Sequence, residues 1–195
     1  MGDQGVIDEA RKRFDAFLKD RHSVPPDEQD AILTIVAQQA DAPTFERLHT
    51  MARAAQDETE LRRDYSALMA VRDPVLARRA AEIALSADVP AQADALRLQL
   101  IMQLAAEHQS LSWQLFRDNS ERLLKPFAFD ASLIVAQYLP ETYWSGIATA
   151  EIETWVRAHV PAEMGPSVDR GMERVRFRVA EKDRMVRAAD AFDRG

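Results

Sequence analysis

Apolar residues recur along the chain at three- and four-residue spacings and nowhere alternate as a half-buried strand would. Ile7, Ala10, Phe14, Phe17 and Leu18 predict a first helix over about residues 5–20. Val24-Pro25-Pro26 closes the connection, and Pro26 can open a second helix because its missing N–H is not needed there. The expected inner face of that helix is Ala31, Ile32, Ile35 and Val36, and the two helices should pack as an antiparallel hairpin. The same grammar then repeats. Asp41-Ala42-Pro43 opens a third helix with Phe45, Leu48, Ala52 and Ala55 inward, and Asp57 caps a fourth carrying Leu61, Tyr65, Leu68 and Met69. Asp73-Pro74 is the clearest start signal, an acidic N-cap followed by proline, and leads a fifth helix burying Val75, Leu76, Ala80, Ile83 and Ala84. Val89-Pro90 begins a sixth, with Leu96, Leu100, Ile101 and Leu104 on one side.

The stretch from Ser110 to Leu124 is the seventh and the richest. Trp113, Phe116, Asn119 and Leu123 share one face, and Ser110 is placed to cap the first free amides. Asp130 is expected to cap an eighth helix containing Leu133, Ile134 and Tyr138. The predicted fold is therefore all-α. Short-looped hairpins of about 30–38 residues suggest an α-solenoid, HEAT- or armadillo-like in shape, without a recurring consensus. The whole chain, 1–195, is expected to be one helical-repeat domain, regular over 1–139 and less regular over 140–195.

After Pro140 the pattern loosens around Tyr143 and Trp144, and Ile152, Trp155 and Val156 suggest a ninth helix. From Ser167 to Phe192 a stripe of Val168, Met172, Val175, Val179, Val186 and Ala189 is flanked by Arg170, Arg174, Arg176, Arg178, Arg184 and Arg187, interleaved with Glu173, Glu181 and Asp183. A solvated face of alternating charge is the simpler account of these arginines. The functional account is an arginine-lined surface that meets a carboxylate or an acidic partner.

Composition narrows the chemistry. The chain is rich in helix formers, has only 6 Gly, and carries a net charge of −7. That charge disfavours a general nucleic-acid binder. With no cysteine, disulfides and thiolate nucleophiles or ligands are excluded. No apolar run approaches the roughly 20 residues of a membrane span, and no signal peptide is visible, so a soluble protein of cytoplasm or periplasm is expected. Of His22, His49, His108 and His159, no two are spaced as in HExxH. Glu46-Arg-Leu-His49 matches half of a helical di-metal motif, but no second copy accompanies it, so His49 is expected to be a polar residue at the edge of its helix. Phosphate loops, nucleophile elbows and dinucleotide fingerprints are missing. No metal ligand, cofactor or catalytic residue is assigned to this chain.

The stretches from Asp8 to Asp27, from Leu61 to Ser86 and from Ser112 to Leu123 together resemble the C-terminal helical domain of zinc aminopeptidases of peptidase family M1, in particular the puromycin-sensitive and endoplasmic-reticulum aminopeptidases. Asp8-Glu-Ala10 with Arg13-Phe14 and Val24-Pro25-Pro26-Asp27 resembles the opening of the domain in bacterial members. Leu61-Arg-Arg-Asp-Tyr65 through Leu68, followed by Arg72-Asp73-Pro74 and Leu85-Ser86, resembles a helical pair of the family. Ser112-Trp113-Gln-Leu-Phe116 with Asn119 and Leu123 resembles a third helix. At the end the chain departs, with Phe192 where the family often has a tryptophan.

The resemblance implies a fragment of a longer enzyme, with its boundary near Met1-Gly2. In such enzymes a separate domain carries HExxH for zinc and a GxMEN loop for the substrate's amino terminus, and neither motif is in this sequence. It further implies that the helical domain covers the active site, limits substrate size and touches the peptide beyond the scissile bond. The catalytic domain of the same polypeptide and peptide substrates are then the partners, with neither nucleic acid nor membrane involved. Arg117, Tyr143, Trp144 and Arg174 are the candidate peptide contacts. Two rivals remain: a free-standing helical-repeat scaffold that binds a protein on its concave face, and, with far less support, a helical-bundle metalloenzyme built around His49.

Overall fold

The computed structural model describes residues 3–192, with side chains through Ala189. The expected boundary at Met1-Gly2 and the Phe192 side chain lie outside these. Among the described residues every regular element is helical and there is no strand, so the protein is all-α. It forms two compact units, Met1–Asn119 and Ser120–Gly195.

The first unit holds α1 (Gln4–Phe17), α2 (Pro26–Gln38), α3 (Ala42–Arg53), α4 (Glu58–Leu68), α5 (Pro74–Leu85), α6 (Asp94–Leu104) and α7 (Gln109–Asp118). Its helix starts obey the sequence. Asp41 Oδ1 accepts from Thr44 N at 2.9 Å, Asp57 from Glu60 N at 2.8 Å, and Asp73 from both Val75 N and Leu76 N. Each such cap is worth about 1 kcal/mol. Proline stands in the first turn of α2, α3 and α5, where no donor is lost. Asp3 caps α1 in the same way, through Gly5 N. Consecutive helices pack on one another, and α4 also packs against α2 and α6. Phe14, Phe17, Phe45, Tyr65, Leu48 and Leu100 are among the largest fully buried side chains. Each such side chain contributes roughly 1.5–3 kcal/mol relative to leaving it in water.

Several details differ from the sequence pattern. In α2 the buried face is Gln29, Ile32, Leu33, Val36 and Ala37; Ala31 is exposed and Ile35 half-buried. The face turns because Gln29 points inward to hydrogen-bond Val24 O, which draws Leu33 and Ala37 into the core. In α5, Val75 is 72% exposed, since the buried arc is lined by Ala77, Ala80, Ala81 and Ala84. Small residues there permit close approach, and Val75 falls outside the arc. Ala55 lies beyond the end of α3 and is half-buried. Val89-Pro90 leads first into a 3₁₀ turn, Ala91–Ala93, before α6 begins.

The expected long helix from Ser110 to Leu124 is two helices. α7 starts at Gln109, so Ser110 lies inside its first turn, and His108 occupies the capping position without a side-chain cap bond. Asn119 ends it: its backbone leaves helical values (φ −125°, ψ 15°) and its Nδ2 donates to Leu115 O at 2.9 Å. That side-chain bond competes with helix continuation. Trp113, Phe116 and Leu123 are buried as expected, while Asn119 is half-buried.

The second unit holds α8 (Ser120–Leu124), α9 over residues 131–143, α10 (Thr149–His159) and α11 (Gly165–Phe192). Asp130 precedes α9 without a side-chain cap bond. The middle of α9, Ile134–Tyr138, is π-helical, flanked by Ala131–Leu133 and Leu139–Tyr143. Pro140 supplies the reason. In an α-helix it could give no N–H to the Ala136 carbonyl four residues back, and its ring would strike that oxygen. The widened turn removes the clash and lets Leu139 N bond Ile134 O instead. It also shifts the face by one residue, so Val135, Ala136, Leu139 and Tyr143 are buried while Tyr138 is exposed.

Gly171 of α11 sits against this bulge. A Cβ built there would lie 2.4 Å from Ala136 O, so only glycine lets α11 approach the bulged carbonyl. The α11 stripe is buried at Val168, Met172 and Val175, half-buried at Val179, and exposed at Val186 and Ala189. The stripe read from the sequence is therefore buried only in the first part of α11.

Gly171→Ala should cost roughly 1–3 kcal/mol, because a methyl group is forced onto backbone that cannot swing away. Urea unfolding should show a lower midpoint with an unchanged slope. A wild-type midpoint would mean that α11 does not touch the bulge.

Candidate functional site

Among the described residues of the first unit the buried polar side chains are Gln29, His49, Asp64, Arg97 and Ser112, and each is bonded within the unit. Asp64 is fully buried within α4. Its Oδ2 accepts from Arg21 Nη1 at 2.6 Å and its Oδ1 from Arg63 Nε at 2.7 Å. Arg21 also donates to Met51 O at 3.1 Å, and Arg63 donates to the Gln29 side-chain oxygen. Both guanidinium groups lie over the Phe17 ring, 5.6 and 5.2 Å from its centroid. One carboxylate thus joins the turn after α1 to α2, α3 and α4. A buried charge is tolerated only with such pairing.

A second knot ties the α5–α6 connection. Arg97 is 4% exposed and donates to Ala84 O, Ser86 O and Val89 O at 2.6–2.7 Å, while its Nε bonds Asp94. It satisfies carbonyls at the end of α5 and in the following loop, which would otherwise be buried without donors. His49 belongs beside this loop. It is buried rather than at a helix edge, with Nε2 2.9 Å from Asp88 Oδ2 and Nδ1 3.9 Å from Glu46. Tyr65 donates to Asp88 O at 2.7 Å. Burial raises the Tyr65 phenol above its ordinary value, with the Asp88 charge adding to the effect. Glu46 is held at the same time by Arg79 at 2.8 Å. Among the described residues no group of three or more His, Cys, Asp or Glu side chains is placed to hold a metal ion. His49 is therefore a clasp between α3 and the loop after α5.

Among the described residues, grooves on the surface of the first unit include the following pair. One, between α1 and α2, is almost wholly apolar, with Val6, Ala10, Ile32 and Ile35 as its floor. The other lies between the end of α1 and α3, where Leu18 and Met51 are rimmed by Arg21, Arg47 and Gln56. Arg21 and Arg47 are each already engaged there, by Asp64 and Asp15.

The four candidate contacts fall into different settings. Arg117 is exposed on α7, with its guanidinium 5.4 Å from the centroid of the buried Trp113 ring. Tyr143 is fully buried. Trp144 is half-buried, with Lys182 Nζ 5.8 Å from its ring centroid. Arg174 is exposed and bonds Glu141, which also accepts Arg178 at 3.2 Å. Within the second unit, Trp144 and Arg174 both lie where the end of α9 meets α11. A parallel cluster joins α10 to α11: Glu153 is paired with Arg157 at 2.8 Å and Arg176 at 2.5 Å, and Arg157 reaches Asp169. The Arg157 hydrogen bond, helped by Arg176, holds the Glu153 carboxyl below its ordinary value.

Of the α11 arginines that the sequence singled out, Arg174 and Arg178 are bonded to Glu141 on α9 and Arg176 to Glu153 on α10, while Arg170 bonds Ser167. The sequence did not announce the Asp64 cluster as a site, yet its Arg63, Asp64 and Tyr65 lie within the Leu61–Tyr65 stretch that carries the family resemblance. The profile of the ERAP1-like C-terminal domain matches residues 1–177. The chain belongs to the ERAP1-like C-terminal domain family. A search of curated proteins finds no match. In this ERAP1-like domain the matched region spans both compact units and ends within α11, at Phe177. No helix among its described residues is long and apolar enough to cross a membrane.

Asp64→Ala should cost about 3 kcal/mol, the low end for a broken buried pair, because Arg21 and Arg63 lose their close anion and keep only Glu60, at 3.5 and 4.0 Å. A double-mutant cycle with Arg21→Ala checks the assignment: coupling near zero would show that the two groups do not interact. Glu153 gives a pH test. A carboxyl held low contributes stability that is present above its unfolded-state value and is lost as pH falls through the folded one. Glu153→Gln should therefore melt roughly 1–4 °C below wild type at about pH 7, and by a smaller margin at about pH 3. An equal gap at both values would contradict the pairing.

Proposed function

We propose that this domain is a non-catalytic part of a zinc-dependent aminopeptidase, forming a wall of the chamber in which peptide substrates are held. The family membership carries this reading. What supports it within the chain is that the histidines and buried acids are spent on internal bonds: His49 on Asp88, and Asp64 on two arginines. The zinc and the amino-terminus-binding loop would belong to the catalytic domain of the same polypeptide, where a metal-activated water would attack the first peptide bond. The helical hairpins would stack as a HEAT-like repeat, giving an extended surface for the peptide beyond the scissile bond.

On this reading the exposed Arg117 and Arg174 and the half-buried Trp144 contact the peptide. Arginine offers a bidentate partner for carboxylates, and tryptophan offers a wide apolar face. A free-standing scaffold that binds a protein partner is the second reading, favoured by the apolar groove between α1 and α2.

In the full-length enzyme, Arg117→Ala, Trp144→Ala and Arg174→Ala should each lower kcat/KM for long peptides by about 3–10-fold, the loss of one exposed polar or aromatic contact. Cleavage of a single-residue chromogenic substrate should be unchanged. Equal losses on both substrates would point to misfolding, and no loss on either would remove these residues from the chamber.

A further inference from the structure

We draw no further inference here: the strongest candidate, the distal face of α11 where the apolar stripe buried at Val168, Met172 and Val175 runs on into the exposed Met185 and Val186, carries none because nothing in the structure shows what covers it.

Discussion

A single buried carboxylate organises the first unit. Asp64 has no solvent to stabilise its charge, so its two oxygens must be met from within, and Arg21 and Arg63 meet them. Those guanidinium groups in turn bond Met51 O and Gln29 and cover the Phe17 ring. Four successive elements are thereby registered against one another by directional bonds, where apolar packing alone would tolerate sliding. The inward turn of Gln29, and the rotation of the whole α2 face that follows from it, is a local consequence of the same demand. Replacing the cluster by apolar residues of similar volume could match its stability; what the ionic version supplies is a fixed register.

The second unit is organised by a steric constraint instead. Pro140 cannot complete an α-helical turn, the backbone widens into a π-helical segment, and Gly171 allows α11 to lie against the bulged Ala136 carbonyl. The shifted face then decides which aromatics are inside: Tyr143 is enclosed and Tyr138 is not. Ion pairs from Glu141 and Glu153 join the arginines of α11 to α9 and α10 beside this apolar contact. The two units solve one problem, registering helices whose apolar faces are not self-specifying, by different chemistry.

Much of this was legible in the sequence. The Asp-led starts at Asp41, Asp57 and Asp73 were visible because capping is local, and periodicity found Ile7, Ala10, Phe14 and Phe17 of α1, Tyr65 and Leu68 of α4 and Leu96, Leu100, Ile101 and Leu104 of α6, but not the buried Asp64, Ala67, Arg97 and Leu98. What was hidden depends on contacts far apart in the chain. The break at Asn119 turns on a side-chain bond that competes with the helix, and Val75 is exposed because alanines, which carry little pattern, form the packed arc of α5. The burial of His49 depends on Asp88, 39 residues away. On α11 the sequence shows alternating charge, and the pairing of Arg174, Arg176 and Arg178 with acids on α9 and α10 depends on contacts that no local pattern reveals. Family resemblance reached further than chemistry, because its motifs coincide with packing residues that periodicity also finds.

The proposed function rests on a division of labour: this polypeptide segment would enclose, and another segment of the same chain would cut. Intact mass of the native polypeptide that carries this sequence, with peptide mapping of its remainder, tests it most directly. A mass far above 22.0 kDa, with a His-Glu-x-x-His helix upstream of these residues, is the predicted result. A native polypeptide of this mass alone, or a longer one without that zinc motif, would contradict it.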